Sequence, residues 1–438
     1  MTADRDEVAH LLRRTGFGTT RAEVDAAAAR GYEATMDAAL AAQEDPGVRA
    51  TPAPELGARP DRPKDDHEAR KRYAAELRRQ SATLTLWWLD RMVAARQPFA
   101  ERLTFSWHGH WATSLQKVRS PALMLGQNET LRRLGRGDFR GLARAMVRDP
   151  ALLLWLDGQR NKKGKPNENL ARELMELFTL GVGNYSETDV KEAARALTGW
   201  RVDRRTGTAT AVARQHDDGP KTVLGSSTAD LDDQGLVDVL VTRPESARFV
   251  ATRLWQRFGA PGAPPPATLR RLVGAYGQGR DVTALLRALL TDPAFRGAAA
   301  RSALVASPVE YAVGAYRALG LRVPRDGAGR PGRALLGSLR SLGQVPFLPP
   351  SVGGWPGGMA WLSTAASRSR LTLAGRLAAA ADLDVVAGAA QRDRPDAAAA
   401  LLGVEAWTAR TRAALTGAVG DPVRLVTLAL VSPEYLVR

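Results

Sequence analysis

Cysteine is absent from this chain of 438 residues, which removes disulfide staples, thiolate metal sites and cysteine nucleophiles together. Any metal held by side chains would need imidazole or carboxylate ligands, and histidine is scarce, with five in all. Long apolar runs are missing as well. Arg, Asp or Gly breaks each one before the roughly 18 uninterrupted apolar residues that a membrane helix needs, so no bilayer span is expected. The opening, MTADRDEVAHLLRRTGFG, sets Arg13, Arg14 and Phe17 in an order loosely like a twin-arginine signal. No apolar stretch follows, and the expectation is a start without an export signal and a cytoplasmic location. The chain also lacks a GxSxG elbow, an HExxH pair and an EF-hand loop, and its short Gly-x-Gly turns at Gly16 and Gly181 follow no strand, which excludes a nucleotide-binding βαβ unit.

What is present is helical. Ala, Leu and Arg fill most segments with few alternating β-branched runs, and a chain that is 44% hydrophobic can bury a large core. The net charge of +16 suits an acidic partner, but the excess Arg is spread along the whole sequence without a reader motif, so nucleic acid is not expected as the ligand. The predicted class is all-α, a compact multi-helix bundle-like array with at most a small β-hairpin. It is read as a single unit over 1–438 with exposed loops near 44–71, 201–224 and 322–333. The first loop leads into a long helix through Trp87, Trp88 and Met92. In the second, Thr208, Thr210 and Val212 alternate after a Thr206-Gly207 turn and suggest the hairpin.

The most informative stretch runs from Pro166 to Trp200. Asn167 is a suitable N-cap, Gly181 a stop, and Ser186 with Asp189 forms a capping-box pattern that starts a second helix, so a helix hairpin is predicted. On the first helix Glu173 lies at the edge of the apolar face and is the carboxylate most exposed to being drawn inward. Glu176 lies within reach of both Glu173 and Arg172, and an Arg172–Glu176 ion pair is the plain structural alternative. The window Phe105-Ser106-Trp107-His108-Gly109-His110-Trp111 holds two of the five histidines. In a continuous helix residues i and i+2 point about 200° apart, so His108 and His110 share an ion only if the backbone breaks at Gly109. His216 and Asp217 sit in a predicted turn, His10 lies in the first helix, and His67 is read as solvated. The loop Pro349-Pro350 to Gly358 reads as rigid, with Trp355 and Trp361 packed inward.

Taken together, HLLRRTGFG at His10, FSWHGHW at Phe105, NENLARELMELFTLGVGNYSETDV at Asn167, ALTGW at Ala196, HDDGPKTVLG at His216, SPVE at Ser307 and QVPFLPPSVGGWPGG at Gln344 resemble a bacterial family catalogued as domain of unknown function 1800. The resemblance implies a mainly helical fold, and it matches the family's histidines to His10, His108, His110 and His216 and its carboxylates to Glu168, Glu173 and Glu176. It also implies a neighbouring sulfatase-like protein as a partner, and export for many relatives. The expected function is a metal-dependent enzyme, hydrolytic or oxidative, acting on a small-molecule or peptide substrate. In it His108, His110, His216 and Glu173 would bind zinc, iron or manganese, and Glu176 or Asp217 would serve as general base. The alternative is a non-catalytic helical scaffold for a partner protein, with the same groups in a buried hydrogen-bond network.

Overall fold

A computed structural model describes residues 2–41, 44–56 and 66–438. Among them are 26 α-helical segments and two small antiparallel sheets, so the predicted all-α class holds. Most helices begin on a side chain that accepts the first free N–H groups: Thr20, Asp66, Asp149, Ser186, Asp281 and Asp421 each do so, as polar N-caps should.

Two apolar cores carry the structure. One gathers Trp107, Trp111, Phe139, Phe178, Phe258 and Leu289, the other Trp88, Phe105, Tyr311, Leu339, Phe347 and Leu425. The helix Phe99–His110 stands between them, giving Trp107 to the first and Phe105 to the second, and nearly all of its residues are buried. A helix buried on every side must pair any charge it carries. Glu101 does so: its Oε1 accepts from Arg91 Nε at 2.7 Å and Arg132 Nε at 2.8 Å, and its Oε2 from Trp88 Nε1 and Arg132 Nη2, both at 2.9 Å. Burial opposes the charge, but Arg132 and Arg91 outweigh it and hold the carboxyl below its ordinary range. Replacing Glu101 by Gln should cost about 3–5 kcal/mol in urea unfolding, because Arg91 loses its carboxylate and Arg132 keeps only the more exposed Glu129 at 2.8 Å. A loss under about 1 kcal/mol would show that the site relaxes and hydrates.

The loops differ in part from expectation. The region 44–71 holds a short helix, Pro46–Arg49, and ends where the long helix His67–Ala94 begins. Positions 57–65 of that loop lie outside the described residues. His67 is therefore the first helical residue, behind the N-cap Asp66. Two hairpins replace the single one predicted: Trp200–Val202 pairs with Ala209–Ala211, and Lys221–Val223 with Ser226–Thr228. The second begins at the end of the turn around His216, where alternation was too short to read. The predicted break at 322–333 is irregular only until Gly329, and the helix Arg330–Ser341 takes up the rest.

The helix hairpin forms, with one change. Its first arm is α-helical over Asn169–Glu173 and then widens into a π-turn over Leu174–Thr179 before Gly181, at φ 86°, ends it. The extra residue in that turn re-aims the side chains beyond Glu173. Arg172 accordingly pairs with Glu168 and Glu187 instead of the expected Glu176, and Glu176 accepts from the Tyr185 hydroxyl at 2.7 Å. The second arm, Glu187–Ala196, starts on the Ser186–Asp189 capping box as read from sequence.

Candidate functional site

The residues expected to bind a metal are held in separate places. The helix Phe99–His110 continues unbroken through Gly109, so the two imidazoles point to opposite sides. His108 lies among Trp88, Phe347 and Trp355, and its Nε2 accepts the Phe347 N–H at 2.9 Å. Burial lowers its pKa to about 3, which keeps this acceptor neutral. His110 faces Trp107, Phe139 and Phe178, with Nε2 against the Phe178 carbonyl at 2.9 Å. Burial and then Arg253 lower its pKa to about 3. His216 sits against Thr198, through its hydroxyl at 3.3 Å and its carbonyl at 3.1 Å, with Asp230 at 3.5 Å.

Glu173 is half-buried, and burial followed by the neighbouring Glu176 raises its pKa. Asp217 is gripped by Arg195 at 2.9 and 3.1 Å, which lowers its pKa and leaves it poorly suited to act as a base. His10 is buried against Phe295, and burial with Arg14 and Arg13 lowers its pKa to about 2. Among the described residues no group of three or more His, Asp or Glu side chains is arranged to hold a metal ion. The ligand set His108, His110, His216 and Glu173 is thus not gathered around one point.

What His108 does hold is a loop. Phe347 has a left-handed backbone, φ 66°, a conformation that an aromatic residue adopts only when its surroundings impose it. The His108 bond to its N–H and the Leu115 N–H at 2.9 Å on its carbonyl are those constraints. Further along, Gly354 at φ 82° packs against the Gly109 carbonyl so closely that a Cβ would stand 2.5 Å from the oxygen, and a Cβ on Gly109 would stand 3.1 Å from Arg257 Nη2. The two glycines let the loop, the central helix and Arg257 meet.

Their meeting point walls a cavity of about 70 Å³ lined by Arg13, Arg14, Arg102, Arg257, Arg438 and Glu310. These come from distant parts of the sequence. Arg13 and Arg14 lie on Thr2–Thr15, Arg102 on Phe99–His110 and Arg257 on Pro244–Phe258. Glu310 lies in the first turn of Pro308–Ala318, where it caps the Ser307 N–H at 2.9 Å. Arg438 is fixed by mutual backbone bonds with Leu304 at 3.0 and 2.8 Å. Gly357, Gly358 and Trp361 of the loop close the wall.

Charge is unbalanced there. Arg102 pairs with Glu310, and Arg13 with Glu405 at 2.5 Å. Arg14 spends one N–H on the Ala300 carbonyl, and Arg438 one on the Glu310 carbonyl at 3.3 Å. Arg257 is attracted to Glu310 over a longer range. Arg14, Arg102 and Arg438 are buried, 2%, 6% and 7% exposed, so the cations sit largely out of bulk water. Burial, then Arg102 and Arg13, lower the Arg14 pKa to about 9; burial, then Arg253, lower that of Arg257 to about 10. Both remain protonated at neutral pH, held at a cost that an anion between them would offset. Glu310 stays ionised, because Arg102 and Arg438 outweigh the burial that opposes its charge.

Sequence reasoning missed this site. The signal was there in part: Arg13 and Arg14 belong to HLLRRTGFG, Glu310 to SPVE, and Gly357 and Gly358 to the Gly/Trp-rich loop, and the fold brings all three to one cavity.

The fold and this cavity define a mainly helical protein with a recess lined by five arginines, three of them buried, and no described helix is long and apolar enough to cross a membrane. The family model described as Protein of unknown function (DUF1800) matches residues 10–437, and the chain belongs to that family. No curated protein and no solved structure matches it.

Proposed function

We propose that this protein binds a small oxyanion-bearing ligand in the arginine cavity. The observation that carries the reading is the convergence of Arg14, Arg102, Arg257 and Arg438 on one small recess whose lining contains one carboxylate, Glu310. Guanidinium groups present planar pairs of donors that match phosphate, sulfate or carboxylate oxygens, and in a recess away from bulk water such bonds are strong. A volume of about 70 Å³ suits an anionic head group but not a nucleoside or sugar. The reading needs no metal, and it favours neither catalysis nor pure binding.

The test is calorimetric titration of the full chain with sulfate and with inorganic phosphate. Binding should appear for at least one ion, and Arg257→Leu should weaken it at least about tenfold, the loss of one charge-assisted contact. The same variant should be as stable as the parent or more so without anion, since removing one of several crowded cations relieves repulsion. Absence of binding for both ions, or an unchanged affinity in Arg257→Leu, would reject the reading.

A further inference from the structure

Glu310 sets the arginine cavity apart from a plain cluster of cations. A recess that only neutralised an anion would gain nothing from a carboxylate in its own lining, because that group repels what the guanidiniums attract. Here the fold ties the carboxylate in place. At the start of Pro308–Ala318 its Oε2 accepts the Ser307 N–H at 2.9 Å, and its Oε1 accepts from Arg102 Nη1. Arg102 and Arg438 keep it ionised against its burial. An ionised carboxylate only accepts, and its two oxygens offer about four lone-pair positions. Two of them are filled by Arg102 and Ser307, so Glu310 keeps acceptor capacity in the space that it lines.

The other charged groups of the lining can only donate. Arg14 spends one N–H on the Ala300 carbonyl and Arg438 one on the Glu310 carbonyl, and each guanidinium carries five. Gln256 and Ser307, also in the lining, both give and take hydrogen bonds and so do not choose between ligands. The ligand that matches this set carries several acceptor oxygens and one donor on the same small group. Hydrogen phosphate has both at neutral pH: three bare oxygens and a P–OH. Sulfate has the same shape and charge but has lost both protons, so one of its oxygens would stand acceptor to acceptor against Glu310. A phosphate monoester sheds its second proton near pH 6 and then lacks the donor as well.

We propose that the cavity takes free hydrogen phosphate, selected over sulfate and over phosphate esters by a P–OH donated to Glu310 while Arg14, Arg257 and Arg438 donate to the other oxygens. This rests on the oxyanion reading of the cavity and narrows it to one ion. Glu310 is then the residue that sets specificity, and the arginines supply the affinity.

The experiment is calorimetric titration of the full chain at pH 7.5 with phosphate, arsenate, sulfate, selenate and methyl phosphate. Phosphate and arsenate both keep a hydroxyl at this pH, whereas sulfate and selenate, their partners in size, have none. Phosphate should bind at least about tenfold tighter than sulfate, and arsenate at least about tenfold tighter than selenate, the worth of one hydrogen bond to a charged group. Methyl phosphate should fall with sulfate. In Glu310→Gln the gap between phosphate and sulfate should close, mainly through tighter sulfate binding, because the amide can turn an N–H toward a bare oxygen. If that variant does not fold, the five-ion series on the parent decides alone. Sulfate as tight as phosphate, an order that follows ion size instead of the proton, or methyl phosphate as tight as the free ion would overturn the selection while leaving the oxyanion site standing. An undiminished gap in folded Glu310→Gln would overturn it too, since the choice would not come from Glu310. No binding of any of the five ions would remove the oxyanion reading, and this proposal with it.

Discussion

Lowering the pH from 7 to 5.5 should remove about 3 kcal/mol of folding stability, an effect larger than ordinary surface titration gives. The groups responsible are His10, His108 and His110, whose folded pKa values lie at about 2, 3 and 3. Unfolded, each titrates near 6.5. Between those limits the unfolded chain binds more protons than the folded one, so stability is complete above about 6.5 and falls as pH falls, by up to about 1.4 kcal/mol per histidine per pH unit. Asp149 works in the other direction. Burial raises its pKa to about 6, against the Leu152 N–H and Gln127 contacts that lower it. It therefore takes up a proton in the folded state and supports the fold on acidification, offsetting part of one histidine's loss. Urea unfolding at pH 7 and 5.5 measures the difference. A flat profile would mean that the imidazoles reach water or gain a counter-charge when protonated.

Glu310→Gln should be the most damaging single substitution in the arginine cavity, at about 3–5 kcal/mol in a buffer without multivalent anions. Glu310 is the one carboxylate that Arg102, Arg257 and Arg438 share, and the amide that replaces it keeps the shape while losing the charge. Sulfate or phosphate should then restore more stability to the variant than to the parent, because the bound ion supplies the missing charge by mass action. Adding Arg102→Met to the variant should recover part of the loss, since the cation most dependent on Glu310 is then gone. Equal stabilisation of parent and variant by anions would place the ion elsewhere.

The parts of this molecule that were legible from sequence are those decided within a few residues. Ser186 and Asp189 begin a helix because their side chains and backbones satisfy each other locally, Gly181 ends one because it can take a positive φ, and Trp87, Trp88 and Met92 lie on the long helix expected there. The π-turn was not legible, because its single extra residue changes which faces meet without changing composition. It moved Arg172 from Glu176 to Glu168 and Glu187. The histidines were noticed as rare and polar, but whether they meet depends on a backbone break at Gly109 that does not occur. Read alone, Arg13 and Arg14 only loosely resemble a twin-arginine signal that the absence of a following apolar stretch argues against, and the other arginines are spread along the whole sequence. Their meaning lies in convergence over hundreds of residues, which no local pattern encodes.

The pairing that anchors Arg438 to Leu304 has a kinetic side. The cavity has no partial form: its walls come from stretches near residues 13, 102, 257, 310, 357 and 438, so it exists only once contacts between opposite ends of the numbering have closed. Contacts of such sequence separation form late, after most of the loop-closure entropy has been lost. A ligand that recognises only the finished cavity cannot steer the chain toward it. Its influence falls on the way out, lengthening the lifetime of the folded molecule while leaving the rate of folding where the bare sequence sets it.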